Sequence, residues 1–266
     1  MLKKRLIFSL LYSDGYFCLS RNFRLQKVGN IDWLMKSYKF NQISEVIDEL
    51  FLIRVRNESY IDDQFTKIVD TIKNDFYGPF AIGGGIRDLE TADKLFRLGA
   101  DKITINEPLH TNSKLVEDLV SKYGSQAIVA SIDYKVNTSS IENNSPSTCY
   151  KGIVKIGQPL DSHISHVQNL GCGELLLRSI DRDGTAFGLD LESIETIINK
   201  ISVPLIISGG IGKAKHIEEG LRVGGVDAVC TSNLLNFIDD GLLMAKRFLI
   251  ENGSLVTKET KYLKEI

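Results

Sequence analysis

One segment of this chain occurs twice. "PFAIGGGIRDLETADKLFRLGADKITIN" begins at Pro79, and "PLIISGGIGKAKHIEEGLRVGGVDAVCTSN" begins at Pro204. Gly84-Gly85-Ile86 aligns with Gly209-Gly210-Ile211, Arg97-Leu98-Gly99 with Arg222-Val223-Gly224, and Asp101 with Asp227 after one inserted residue. At the same spacing "ELFL" from Glu49 matches "ELLL" from Glu174. Self-similarity this long means a duplicated structural unit. The chain therefore has to fold as two equivalent halves joined through a shared core.

Within each half, short apolar runs alternate with helical patterns. Strands are expected at 5–11, 49–55, 79–84, 102–106, 127–133, 174–180, 204–208 and 228–232. Between them lie amphipathic stretches such as "DLETADKLFRLG" (88–99), with Asp88 placed as N-cap and Gly99 as the stop. Continuous apolar strands alternating with such helices imply a parallel sheet covered by helices. Eight strands in two equal halves favour a closed α/β barrel, a single (β/α)8 TIM barrel. The length of 266 residues suits one such domain over residues 1–266. Two segments break the alternation: residues 14–30, expected as an extended loop, and 136–149, "VNTSSIENNSPSTC", expected as a mobile insertion without strand or helical period.

Composition narrows the class. An apolar fraction of 43% and a net charge of −2 suit an ordinary soluble globule and argue against nucleic-acid or membrane-surface binding. No stretch is long and apolar enough to span a bilayer and no signal peptide is evident, so a cytoplasmic protein is expected. Cys18, Cys149, Cys172 and Cys230 match no zinc or redox spacing and are expected to be reduced. His163 and His166 form an H-x-x-H pair without an acidic partner motif. No metal and no cofactor is expected.

The glycine clusters carry the clearest chemistry. Gly84-Gly85 and Gly209-Gly210 directly follow the third and seventh strands. Backbone amides exposed there, beside helix N-termini, make anion sites that glycine lets a phosphate approach closely. Tight turns without a ligand are the plainer alternative. Two such clusters related by the repeat point to a substrate with phosphate at both ends. Asn106 is the further donor expected in the first half, and Ser208, Thr231 and Ser232 in the second. "SIDRDGTAFG" (179–188) places Asp181, Asp183 and Gly184 just past the sixth strand, where paired acids either serve acid–base work or order a loop. Asp133 ends the fifth strand and is expected to face the barrel mouth.

On these motifs the chain resembles the cyclase subunit of imidazole glycerol phosphate synthase. "KRLIF", "FAIGGGIRDLETADKLFRLGADKITIN", "GSQAIVASID", "GCGELLLRSIDRDGTAFG" and "IISGGIGK" carry the likeness across nearly the whole length. The resemblance implies a half-barrel-duplicated barrel that takes ammonia from a glutaminase, its partner in a heterodimer, docked at the N-terminal face. It implies a bis-phosphorylated small substrate at the other face, with Gly84, Gly85, Asn106, Asp183, Gly184, Ser208, Gly209, Gly210, Thr231 and Ser232 as phosphate-binding positions. It also makes Arg5, Glu49, Lys102 and Glu174, each beginning a strand, a charged gate at the ammonia entrance.

The resemblance has gaps, and they cluster at the mouth. Of the family's two catalytic acids, one is Asp133 and the other falls on Leu11, which cannot transfer a proton. An expected lysine falls on Leu19, an expected acid on Arg54, and a small hydroxyl residue on Arg178. Paralogues linked to acetamidino groups on bacterial surface sugars are similar in this respect. That subgroup implies ammonia supply to a separate sugar amidotransferase. The competing readings are a histidine-biosynthesis cyclase, a lyase, and a phosphosugar isomerase on the same fold.

Overall fold

In a computed structural model of the protein, residues 3–38, 40–55, 61–136, 146–150, 154–233, 240–254 and 256 are described. Eight parallel strands form the barrel, here β1 (Arg5–Ser13), β2 (Glu49–Arg54), β3 (Phe80–Gly83), β4 (Lys102–Ile105), β5 (Ile128–Val136), β6 (Glu174–Ser179), β7 (Leu205–Ser208) and β8 (Ala228–Thr231). Each pairs with the next, β8 pairs with β1, and the pairing of β5 with β6 closes the cylinder. All eight strands expected from the sequence are present, with ends shifted by a few residues.

Alternation along the strands sorts the side chains. Ile7, Phe51, Ala81, Val129, Leu176, Ile206, Ala228 and Cys230 fill the inside of the barrel. Their neighbours, such as Leu6, Leu50, Ile82, Ile103 and Leu175, pack outward under the helices. The helix Leu89–Arg97 shows why these segments are helical. Asp88 accepts a hydrogen bond from the Thr91 amide at 2.7 Å, Ala92 and Leu95 are buried, and Gly99 ends the turn at φ 92°.

Three aspartates hold the register of the barrel floor. Each immediately precedes a strand and accepts an amide at the start of an adjacent strand. Asp48 takes Leu6 N–H at 2.6 Å, Asp101 takes Phe80 N–H at 2.8 Å, and Asp227 takes Leu205 N–H at 2.9 Å. The aligned positions Asp101 and Asp227 thus do the same job in both halves. Asp48 is further paired with Lys246 at 2.8 Å, and that lysine is 0% exposed. The pair ties the helix Gly241–Glu251 to the floor.

Two expectations are corrected. Residues 14–30 are not an extended loop. Strands Tyr16–Arg21 and Arg24–Gly29 form an antiparallel hairpin continuing from β1. Its turns lie at Asp14-Gly15 (φ 51° and 84°) and Asn22-Phe23 (φ 49° and 61°), the positive-φ pairs that two-residue hairpin turns require. The segment 136–149 is not free of strand structure either. β5 runs to Val136, and Pro146–Tyr150 returns antiparallel beside it, followed by Val154–Pro159. Main-chain pairing holds that strand without needing an apolar alternation. The rest of the expected insertion, 137–145, lies outside the described residues.

The buried Asp48–Lys246 pair gives a stability prediction. Removing one partner leaves an uncompensated buried charge, which costs about 3–5 kcal/mol. Lys246→Ala is expected to lower the unfolding free energy by that amount, read from a denaturant titration. A change within measurement error would mean that Asp48 is satisfied by Leu6 alone.

Candidate functional site

The barrel has a charged foot and a cleft at its mouth. At the foot, Arg5, Glu49, Lys102 and Glu174 are the first residues of β1, β2, β4 and β6 and all turn inward. Arg5 pairs with Glu49 at 2.8 Å and with Glu174. Lys102 pairs with Glu49 at 2.8 Å and with Glu174 at 2.9 Å. Each carboxylate thus bridges both cations, and signs alternate around a closed ring. Burial works against the charges of Lys102 and Arg5, but the two glutamates outweigh it and hold both pKa values above their ordinary range. Burial raises Glu49, opposed chiefly by Lys102.

Above the ring comes the apolar interior, then a layer of buried hydroxyls, Ser9, Thr104, Ser131 and Ser208. Burial pushes the Cys230 thiol in this layer up to about 12, so it stays neutral. The next inward position on β1 is Leu11.

The mouth holds two cavities, of about 410 and 290 Å³, and the repeat explains their number. Gly84, Gly85 and Asn106 border the first, and Gly209, Gly210, Thr231 and Ser232 the second. All four of these glycines have positive φ, between 72° and 106°. A Cβ on Gly84 would lie 1.9 Å from the Arg54 carbonyl oxygen, and one on Gly210 would lie 2.0 Å from that of Gly188. Leu11, Ser20 and Arg178 line both cavities and so mark the divide between them.

Asp133 lines the first cavity and is 6% exposed. Its Oδ2 accepts from Asn106 Nδ2 at 3.1 Å, while Oδ1 lies 4.0 Å from Arg178 Nε. Burial raises its pKa to about 6, against the pull of Arg178 and with the nearby charge of Asp183 adding to the rise. Such a carboxyl exchanges a proton near neutral pH, as a general acid or base requires. Leu11, facing the same cleft, offers it no second proton-transfer group.

The acids after β6 order loops. Asp181 accepts the Val136 amide at 2.9 Å. Asp183 accepts Ser20 Oγ at 2.6 Å and the Phe23 amide at 2.9 Å, which fastens the hairpin over the mouth. Gly184 lies under the same hairpin, since a Cβ there would be 2.1 Å from the Ser20 carbonyl oxygen. Asn106 spends its amide on Ser131 O (2.7 Å) and Asp133.

Arg54 is almost wholly buried, donates to the Gly84 carbonyl at 3.1 Å, and lies 5.2 Å from the Phe65 ring centroid. It braces the first glycine turn, a role that sequence reasoning missed. The H-x-x-H pair lies away from the cleft, on the helix Leu160–Asn169. There His163 stacks on His110 at 4.2 Å, and burial depresses the two rings to about 3 and 4 respectively. Among the described residues no group of three or more His, Cys, Asp or Glu is placed to hold a metal ion, and no helix is long and apolar enough to cross a membrane.

Comparison with known proteins identifies relatives of the chain. The family described as "Histidine biosynthesis protein" matches residues 26–237. A protein of Parasynechococcus marenigrum (strain WH8102), provisionally named imidazole glycerol phosphate synthase subunit hisF2, is 40% identical over 250 residues, covering 92% of this chain and 90% of that protein. Imidazole glycerol phosphate synthase subunit HisF of Chlorobium phaeovibrioides (strain DSM 265 / 1930) is 32% identical over 266 residues, covering 96% and 99%.

The raised pKa of Asp133 has a cost that a variant should expose. An acid whose folded pKa lies above its unfolded value contributes stability that is complete below the unfolded pKa and is lost as pH rises through the folded one. Wild-type stability should therefore fall between the ordinary 3.8 and about 6, relative to Asp133→Asn. Above pH 7 the variant is expected to be more stable by about 3 kcal/mol. Chemical denaturation at pH 4 and pH 8 checks this, and an equal difference at both values would contradict it.

Proposed function

The chain belongs to the histidine biosynthesis protein family, as a relative of imidazole glycerol phosphate synthase subunit HisF, and from that membership we propose that it is the synthase-side subunit of a glutamine amidotransferase. A glutaminase docks at the foot, ammonia travels up the barrel, and a small phosphorylated substrate sits at the mouth. The closed ring of Arg5, Glu49, Lys102 and Glu174 carries this reading. Ammonium meets a ring of zero net charge backed by Ile7, Phe51 and Val129. Burying a charge there is costly, so only neutral ammonia goes further. The hydroxyls of Ser9, Thr104 and Ser131 then offer hydrogen-bond partners on the way to Asp133.

At the mouth the two glycine turns hold the phosphate ends of the substrate. Leu11 leaves Asp133 as the lone proton-transfer group of the expected pair, and Arg178 puts a cation where the substrate's middle lies. We therefore read the chain as a divergent paralogue that no longer closes an imidazole ring. Its ammonia serves another acceptor, as in amidination of a surface sugar, delivered to a sugar amidotransferase. The greater identity to the protein named hisF2 than to the one named HisF supports this. The intact glycine turns and the inward Asp133 favour the second reading, a working cyclase.

Two experiments follow. Lys102→Met, mixed with the glutaminase encoded nearby, is expected to give a folded complex that leaks ammonia: glutamine no longer supports the downstream step, whereas added ammonium does. If the ring is only a structural plug, the variant instead loses about 3–5 kcal/mol of stability and stays coupled. Failure of the wild type to bind any such glutaminase would sink the ammonia route. For the cyclase question, the gene is introduced into a histidine-requiring strain lacking its own cyclase subunit. No growth is expected, since one general acid–base group contributes about 10²–10⁴ in rate. Growth would establish the second reading.

A further inference from the structure

The two cavities differ in charge although the repeat makes their backbones alike. The first is lined by Arg54 and Arg178 with Asp133 and Glu107; Arg54 is turned to the Gly84 carbonyl, Arg178 lies by Asp133, and Glu107 is paired with Arg87. The second is lined by Arg21, Arg24 and Arg178 against a single acid, Asp183. That acid is turned to the hairpin, where it accepts from Ser20 Oγ and Phe23 N–H. Arg178 is shared with Asp133. Arg21 and Arg24 are left, and neither forms an ion pair among the described residues.

The hairpin holds this pair in an unfavourable arrangement. Its register sets Arg21 directly opposite Arg24, and like charges facing each other across strands repel. The turn joining them places Phe23 at φ 61°, a conformation that bulky side chains resist. Gly184 is the floor beneath: a Cβ there would lie 2.7 Å from Arg21 Cα, so any other residue would lift the hairpin. Repulsion, a left-handed phenylalanine and an obligatory glycine all go with keeping two guanidiniums beside the Gly209-Gly210 turn. An anion between them relieves the repulsion and gains charge-assisted hydrogen bonds.

We propose that Arg21 and Arg24 are anion ligands of the second cavity, closing on the phosphate dianion of a phosphorylated small molecule from the side opposite the glycine amides. This rests on the reading that the glycine turns hold phosphate, and it adds an order. The second cavity, whose Arg21 and Arg24 form no ion pair among the described residues, fills before the first, whose arginines are already turned to Gly84 and Asp133.

Inorganic phosphate is the probe. The full-length wild type, Arg21→Gln/Arg24→Gln and Arg21→Lys/Arg24→Lys are titrated calorimetrically, and crystals soaked at graded phosphate locate the sites. The wild type is expected to fill the second cavity at the lower concentration. The glutamine variant should bind there about tenfold or more weakly per arginine, with the first cavity unchanged. The lysine variant, which keeps the charge, should recover part of the loss. Melting without phosphate monitors folding and should show no loss in the glutamine variant, because the repulsion is gone. Equal affinity of the glutamine variant and wild type at the second cavity overturns the proposal while leaving the phosphate reading intact. So does filling of the first cavity before the second. Phosphate in neither cavity of the wild type overturns both.

Discussion

Two buried carboxylates and two half-buried cations at the foot of the barrel cancel one another only when four separate strands arrive in one register. Removing carboxylates and ammonium groups from water costs several kcal/mol each, and only close, well-aimed partners recover it. Arg5, Glu49, Lys102 and Glu174 meet this condition because each opens its strand and all strands run the same way. A slip by one residue would turn every inward side chain outward and leave these charges among apolar helices. The aspartates that take amides at the starts of β1, β3 and β7 guard against such a slip, and Lys246 extends this bracing to the last described helix.

The same strand direction places everything reactive at the other end. Parallel strands deliver their C-terminal turns to one rim, so the duplicated glycine turn appears twice there, each copy beside a cavity. The halves are then made unequal by a few residues. Leu11 and Arg178 occupy the divide between the cavities, and the hairpin after β1 lies over it, fastened by Asp183. The foot carries a balanced, closed ring, while the mouth sets Leu11, Arg54 and Arg178 around Asp133.

The repeat, the strand periodicity and the glycine positions are properties of neighbours in the chain, and they were enough to determine the barrel, its two halves and the two candidate anion turns. The inward direction of Asp133 follows from period-two alternation along its strand, whereas the ring of Arg5, Glu49, Lys102 and Glu174 is what the family resemblance implies. The hairpin at 16–29 was missed although Asp14-Gly15 is a favoured turn pair, because its outer strand "RLQKVG" is exposed and lacks an apolar alternation. Other features needed the closed tertiary structure. Asp48 meets Lys246 from the far end of the chain, Asp183 reaches back to Ser20 and Phe23, and Arg54 turns to the Gly84 carbonyl rather than to open solvent. Local pattern decides which face a side chain takes. Which distant partner it finds there depends on how the barrel closes, and with it the proton affinity of Asp133 and the balance of charge in each cavity.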